Sequence, residues 1–218
     1  MVKFEEKWIL CLGGSKSKVT LINSIKKNGF KCCIIDKNKK PFSKNLADLF
    51  VNQSIINANQ IYDILEKIGI QNKTVLIFAY VSLMEGQFTA SKISQMLDIP
   101  YCSKDILKLS WNKVELKKKC KNLGIPTPDY VINENDKLKK FLVQTKKIIS
   151  KPKIGGIGSN SVFMFDSLNI SKISNKENVF FEEYLGDELY SYQALKVKGK
   201  FVFEFVLRKH IRYNSFTI

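Results

Sequence analysis

Apolar residues follow two rhythms along this 218-residue chain. From Trp8 to Tyr101, short unbroken apolar runs alternate with stretches of helical spacing. WILCL (Trp8–Leu12), KCCIID (Lys31–Asp36) and TVLIFAY (Thr74–Tyr80) read as strands buried on both faces, and Leu49–Asn52 is a shorter candidate. Between them, Val19–Lys27 sets Val19, Ile22 and Ile25 on one helical face, and Gln60–Ile68 does the same with Ile61, Ile64, Leu65 and Ile68. Asn28-Gly29 and Gly69 are stop signals for these two helices, and Glu85–Leu97 is the next one. Strand and helix in alternation predict an open, doubly wound parallel sheet with right-handed crossovers over residues 1–109.

The rhythm changes after Ser110. Ser110 is the expected N-cap of a helix bearing Val114, Leu116, Cys120 and Leu123; Gly124 ends it, and Pro126 and Pro128 force an extended exit. Short strands then dominate: Tyr130–Ile132, Ile148–Lys151, Val162–Phe165, Val179–Leu185, Tyr190–Val197 and Phe201–Leu207, with Gly199 turning the last pair. Helices are expected at Asp136–Gln144 and Asn169–Ser174. Residues 110–218 therefore read as an α+β domain of small antiparallel strands.

Charge alters this picture less than its size suggests. The net charge is +16, but the only arginines are Arg208 and Arg212, and the lysines spread over helix faces and turns. Bidentate phosphate and base contacts favour arginine, and no nucleic-acid motif is present. A general attraction to polyanions at low salt is expected, without specific nucleic-acid recognition. The five cysteines are an odd number without metal-ligand spacing; Cys11, Cys32 and Cys33 fall in core strands, as in a reduced, cytoplasmic protein. No run of eighteen apolar residues suggests a membrane span, and the N-terminus does not read as a signal peptide.

The chemistry-bearing residues gather in the second half. Lys151 stands at the end of an apolar strand, just before a loop holding Gly155, Gly156, Gly158, Ser159 and Asn160. Glycines let backbone N–H groups approach oxyanions, and a lysine supplies a point charge, so this is a phosphate-handling arrangement. A strand ending in Glu182 and Glu183 follows, then Tyr184, Leu185 and Glu188; carboxylates there can accept from an amino group or ribose hydroxyls. Lys113, at the start of its helix, opposes the helix dipole, a penalty that bound polyphosphate would remove. In the first half, Gly13-Gly14-Ser15 precedes a helix and Asp36 ends the next strand; this is either an anion or substrate site or a tight turn without ligand, and it does not fit the dinucleotide G-x-G-x-x-G pattern. His210, among Arg208, Lys209 and Arg212, reads as structural or surface.

The order lysine, glycine loop, strand, then EEYLGDE (Glu182–Glu188) resembles the ATP-grasp superfamily of carboxylate ligases, in the manner of the carbamoyl-phosphate-synthase-like and biotin-carboxylase-like members. Upstream, Lys113 followed by GIPTP (Gly124–Pro128) resembles the entry to the family's nucleotide domain, although Asn112 stands where the family often has Asp. The glycine turn, Asp36, Ala47-Asp48 and DIPY (Asp98–Tyr101) resemble its pre-ATP-grasp domain, which helps hold the substrate. The resemblance implies that Lys113 and Lys151 contact the phosphates of ATP and that Gly155 to Ser159 close over them. It further implies that Glu182 accepts from the adenine amino group, that Glu183, Tyr184 and Leu185 line the adenine edge with backbone groups, and that Glu188 holds the ribose.

The family places its magnesium ligands on strands well beyond the hairpin seen here, and the sequence stops at Ile218, so the domain is expected to be incomplete at its C-terminal end, with Mg²⁺ bound only in a longer protein and no metal ligand here. The expected activity is that of an ATP-dependent ligase activating a small-molecule carboxylate as an acylphosphate for attack by an amine or other nucleophile. The alternatives are a non-catalytic nucleotide-binding module lacking the metal site, and a basic polyanion-binding protein. Incompleteness would leave Phe201, Phe203 and Phe205 without a partner layer. The oligomeric state stays open, a homodimer among the choices.

Overall fold

The computed structural model describes residues 6–79, 84–132, 135–155, 162–166, 177–197 and 199–209. The chain divides into two compact units, Met1–Trp111 and Asn112–Ile218.

The first unit is built on a parallel sheet. Its strands are β1 (Trp8–Leu12), β2 (Lys31–Asp36), β3 (Leu49–Asn52) and β4 (Thr74–Phe78), in the order β3-β2-β1-β4. Its helices are α1 (Val19–Lys27), α2 (Ala58–Lys67), α3 (Met84–Met96) and α4 (Lys104–Trp111). Side chains of a strand alternate between faces, which explains why these strands are unbroken apolar runs. Ile9, Cys11, Cys32 and Ile34 meet Ile22 and Ile25 of α1 on one face. Leu10, Leu12, Cys33 and Ile35 meet Ile61 and Leu65 of α2 and Ala90 and Ile93 of α3 on the other. This is the doubly wound arrangement expected from the alternation of elements.

The glycine turn after β1 is held by the protein's own groups. The Gly14 amide donates to Asp36 Oδ2 at 2.8 Å, and its carbonyl accepts from the Ser43 amide at 3.0 Å. A Cβ on Gly14 would lie 2.8 Å from the Pro41 ring, so glycine is required there by packing. Asp36 also accepts from the Asn38 amide, and Asp48 accepts from the Cys32 amide while facing Lys26 and Lys31. These bonds shape the segment as a tight turn.

Two local expectations are corrected. Ser110 caps no helix: it lies in the last turn of α4, where its hydroxyl donates to the Leu107 carbonyl at 2.8 Å. Asn112 is the N-cap of the next helix, accepting from the Glu115 amide, as a short amide side chain does at that position. The helix α4 itself is not among the elements expected from the sequence. Trp8–Leu12, Val19–Lys27, Lys31–Asp36 and Leu49–Asn52 keep their expected bounds, and other described boundaries move by one to a few residues, as helix and strand ends generally do.

The second unit opens with α5 (Lys113–Asn122) and continues through β5 (Tyr130–Val131), α6 (Asn135–Thr145), β6 (Lys147–Pro152), β7 (Phe163–Asp166) and β8 (Val179–Glu183). Its four strands pair antiparallel in the order β5-β8-β6-β7. Register decides which side chains share a face: Ile149 stands opposite Glu182 and Lys151 opposite Phe180, while Ile148 stands opposite Glu183. The face carrying Ile148 and Phe181 packs on Leu138, Phe141 and Leu142 of α6. Lys151 and Glu182 share the other face. A two-stranded antiparallel sheet, β9 (Leu189–Val197) with β10 (Lys200–Lys209), completes the unit. Phe201, Phe203 and Phe205 are exposed on it, together with Tyr190, Tyr192 and Leu195.

Burial sorts the thiols. Cys11, Cys32 and Cys33 are buried, Cys120 is partly so and Cys102 is exposed, and burial pushes the Cys33 thiol up to about 12. Since the thiolate is the reactive form, a maleimide added to the native protein modifies Cys102 first and Cys120 more slowly. The three core thiols react only in denaturant. Fast native labelling of Cys33, read by peptide mass, would contradict the packing described.

Candidate functional site

One face of the second sheet brings together the lysines and the carboxylate singled out above. The helix α5 contributes Lys113 in its first turn and Lys117 one turn later, on the same side. The strand β6 contributes Lys151, and β8 contributes Glu182. The start of α5 is tied to the end of β6 by backbone: the Lys113 amide donates to the Lys153 carbonyl at 2.9 Å, and Asn112 bridges Ile154.

Glu182 is 4% exposed. A carboxylate removed from water in this way needs paired charge and hydrogen bonds, and it has both. Lys151 donates to Oε1, and Lys117 donates to Oε2 at 2.8 Å. Lys117 spends its other two ammonium protons on Thr127 Oγ1 at 2.9 Å and the Pro128 carbonyl at 3.2 Å, with the Tyr130 ring 5.6 Å away. Lys113 reaches the Gly155 carbonyl. Gly155 has φ +66°, in the left-handed region that glycine occupies without strain.

Electrostatically the cluster is unbalanced. Lys117 and Lys151 pair with Glu182 while Lys113 stands near Lys151, so three ammonium groups face one carboxylate and leave an excess of positive charge at a partly buried face. Lys113 registers the strain: burial first, and the Lys151 ammonium second, hold its pKa below the ordinary lysine value. Such a face favours an anion.

The remaining candidates are distributed as follows. Glu183 points to the opposite face from Glu182, and its amide donates to the Asp129 carbonyl at 2.9 Å. The Tyr184 amide donates to the Lys147 carbonyl, and the Tyr184 hydroxyl donates to Asp187. Leu185 is exposed. Glu188 accepts from Arg208 at 2.8 Å and the Tyr190 hydroxyl at 3.0 Å, both on the β9–β10 hairpin. Gly156, Gly158, Ser159, Asn160, His210 and the expected helix Asn169–Ser174 lie outside the described residues. Lys117 is not among the residues singled out by sequence. The available signal is its spacing: it lies four residues after Lys113 and three after the buried Val114.

No family profile and no curated protein sequence matches the chain. Solved structures do. N5-carboxyaminoimidazole ribonucleotide synthetase from Thermotoga maritima superposes with a TM-score of 0.69 at 19% identity, over 93% of this chain and 53% of that one. The N5-carboxyaminoimidazole synthetase from Staphylococcus aureus, solved with ADP, gives 0.74 at 15% identity, over 99% and 58%. L-amino acid ligase from Bacillus licheniformis gives 0.67 at 14%, over 97% and 52%. The chain thus spans little more than half the length of these structures. At such identities the likeness establishes the fold, which is that of the ATP-grasp ligases.

Proposed function

We propose that this chain, carrying the ATP-grasp fold, binds the triphosphate of ATP on the lysine face of its second unit and serves an ATP-dependent carboxylate ligase. The observation that carries the reading is the excess charge of Lys113, Lys117 and Lys151 over Glu182. It meets the requirement of a polyphosphate for convergent cations beside a backbone able to come close, which Gly155 provides. Lys113 and Lys151 hold the phosphates in this reading, with Gly156, Gly158 and Ser159 closing over them. Glu182 accepts from the base amino group, Glu183, Tyr184 and Leu185 present backbone to the base edge, and Glu188 binds the ribose. Bound ATP would supply the phosphoryl group that converts a small-molecule carboxylate into an acylphosphate open to attack by an amine. The role of the lysines is to orient the chain of phosphates and to offset the charge that develops on it.

Titration calorimetry with ATP, ADP and AMP tests this. Affinity should fall by about tenfold or more from ATP to AMP, because the lysines read phosphate. It should also fall with rising pH. Lys113 must be protonated to attract phosphate, its pKa in the free protein is lowered, and bound phosphate raises it again. The affinity is therefore complete below the lowered Lys113 value of the free protein, and it falls as the pH rises from there through the raised value of the complex. Equal affinity for AMP and ATP, or no binding of either, would remove the phosphate-reading role.

A further inference from the structure

We infer that Lys117 is a positioning residue: the stationary counter-ion of Glu182, whose presence lets Lys151 leave that carboxylate and bind phosphate. The inference rests on the nucleotide reading above and adds to it a division of labour between two lysines.

Lys117 and Lys151 hold different oxygens of one carboxylate but stand in different surroundings. The Lys117 side chain is 11% exposed, and its three protons are matched by three acceptors on two segments: Glu182 on β8, and the Thr127 hydroxyl and Pro128 carbonyl of one loop. An ammonium so matched gains nothing by moving. The Lys151 side chain is 30% exposed, and its partner is the other oxygen of Glu182. It also lies close enough to the Lys113 ammonium to lower that group's pKa. Lys151 therefore stands between a carboxylate and a second cation, the place where an incoming phosphate would compete for it.

Competition is cheap only if Glu182 is not left as an unpaired buried charge when Lys151 departs. Lys117 meets that condition, remaining on Oε2 while Oε1 becomes open to a new donor. One exchange thus hands a cation to the phosphates and frees an acceptor on Glu182. Without Lys117, Glu182 would depend on Lys151 alone and would retain it.

The probe is inorganic tripolyphosphate, which has no base or sugar and so reports the lysine exchange separately from base recognition. Wild type, Lys117→Met, Glu182→Gln and the double variant Lys117→Met/Glu182→Gln are titrated in the full chain, and thermal melts establish folding. Lys117→Met should weaken tripolyphosphate about tenfold or more, as expected when a buried charge loses its second partner. The double variant should return to within about threefold of wild type, because a neutral amide in place of the carboxylate no longer retains Lys151. Relief of an unpaired buried carboxylate would also restore folding, so rescue counts only where the thermal melts of the single and double variants match.

Net charge alone would give the same order, so a direct readout accompanies the titrations. With isotope-labelled lysine, the Lys151 ammonium resonance should move on adding tripolyphosphate while the Lys117 resonance stays in place. If Lys117→Met binds like wild type, if the double variant is not rescued, or if the Lys117 resonance moves as far as that of Lys151, the inference fails. If wild type binds neither tripolyphosphate nor ATP, the nucleotide reading fails first. If Lys117→Met does not fold, Lys117→Gln replaces it: a neutral amide can still hydrogen-bond here but is no counter-ion to Glu182, so it should bind tripolyphosphate more weakly, and unchanged binding overturns the inference.

Discussion

Lys151→Ala loses ATP affinity by about 2–3 kcal/mol, roughly thirty- to hundred-and-fifty-fold, while the protein stays folded. Both halves of this result follow from the neighbours of Lys151. The change removes a cation from the face where Lys113 and Lys117 also stand, and with it a charge-assisted bond to phosphate. Folding survives because Glu182, buried on β8, keeps Lys117 at 2.8 Å. The lost methylenes come from a side chain that is 30% exposed, so little core packing goes with them. Titration calorimetry gives the affinity and a thermal melt gives the fold. An ATP affinity unchanged from wild type, in a protein that melts normally, would mean that the phosphates bind elsewhere.

Phe181→Ala is expected to cost about 3–5 kcal/mol of folding stability. Phe181 is fully buried and packs on Leu138, Phe141, Leu142 and Ile148, with the Phe165 ring 6.2 Å away at a steep angle. Truncation leaves a void that an antiparallel sheet, pinned on both sides of β8 by β5 and β6, cannot collapse to fill. Val143→Ala is the control: Val143 is 82% exposed on the same helix that packs this core, and its change should stay within about 0.5 kcal/mol. Denaturant melts of the two variants measure the contrast, and similar midpoints would sink the assignment of this cluster as the core of the second unit. ATP affinity should fall in the Phe181 variant as well, because the same strand aims Glu182 at the lysines.

How far the sequence can be read depends on which physical signal each residue carries. The parallel sheet is legible because strands buried on both faces must be apolar at successive positions, and Leu10–Leu12 and Cys32–Ile35 are. The strand β8 is legible for the same reason, and the period of two separates its glutamates: once Phe181 is assigned to the core, Glu182 must share the opposite face with Lys151. Lys117 is hidden by composition. In KVELKKKCKN (Lys113–Asn122) the lysines after Lys113 look alike, and beyond the spacing from Lys113 and Val114 it is the partner across the fold, Glu182, that reveals which is buried. Asp36 shows a different limit. A carboxylate at a strand end is compatible with a ligand, and nothing local announces that it also accepts from the Gly14 and Asn38 amides. Ser110 fails as a cap because a hydroxyl serves a helix end as well as a helix start, and its sequence does not announce α4 before it.

The main-chain bond between the Lys113 amide and the Lys153 carbonyl, with the adjoining bridge from Asn112 to Ile154, has a consequence for descent. These contacts involve no side chain, so substitution at 113 or 153, proline at 113 aside, leaves the helix start seated beside the end of β6. A lineage can therefore exchange the cations of this site one at a time, altering what it holds, while inheriting the frame intact. Geometry and chemistry here are separately mutable, and the frame can outlast any particular ligand.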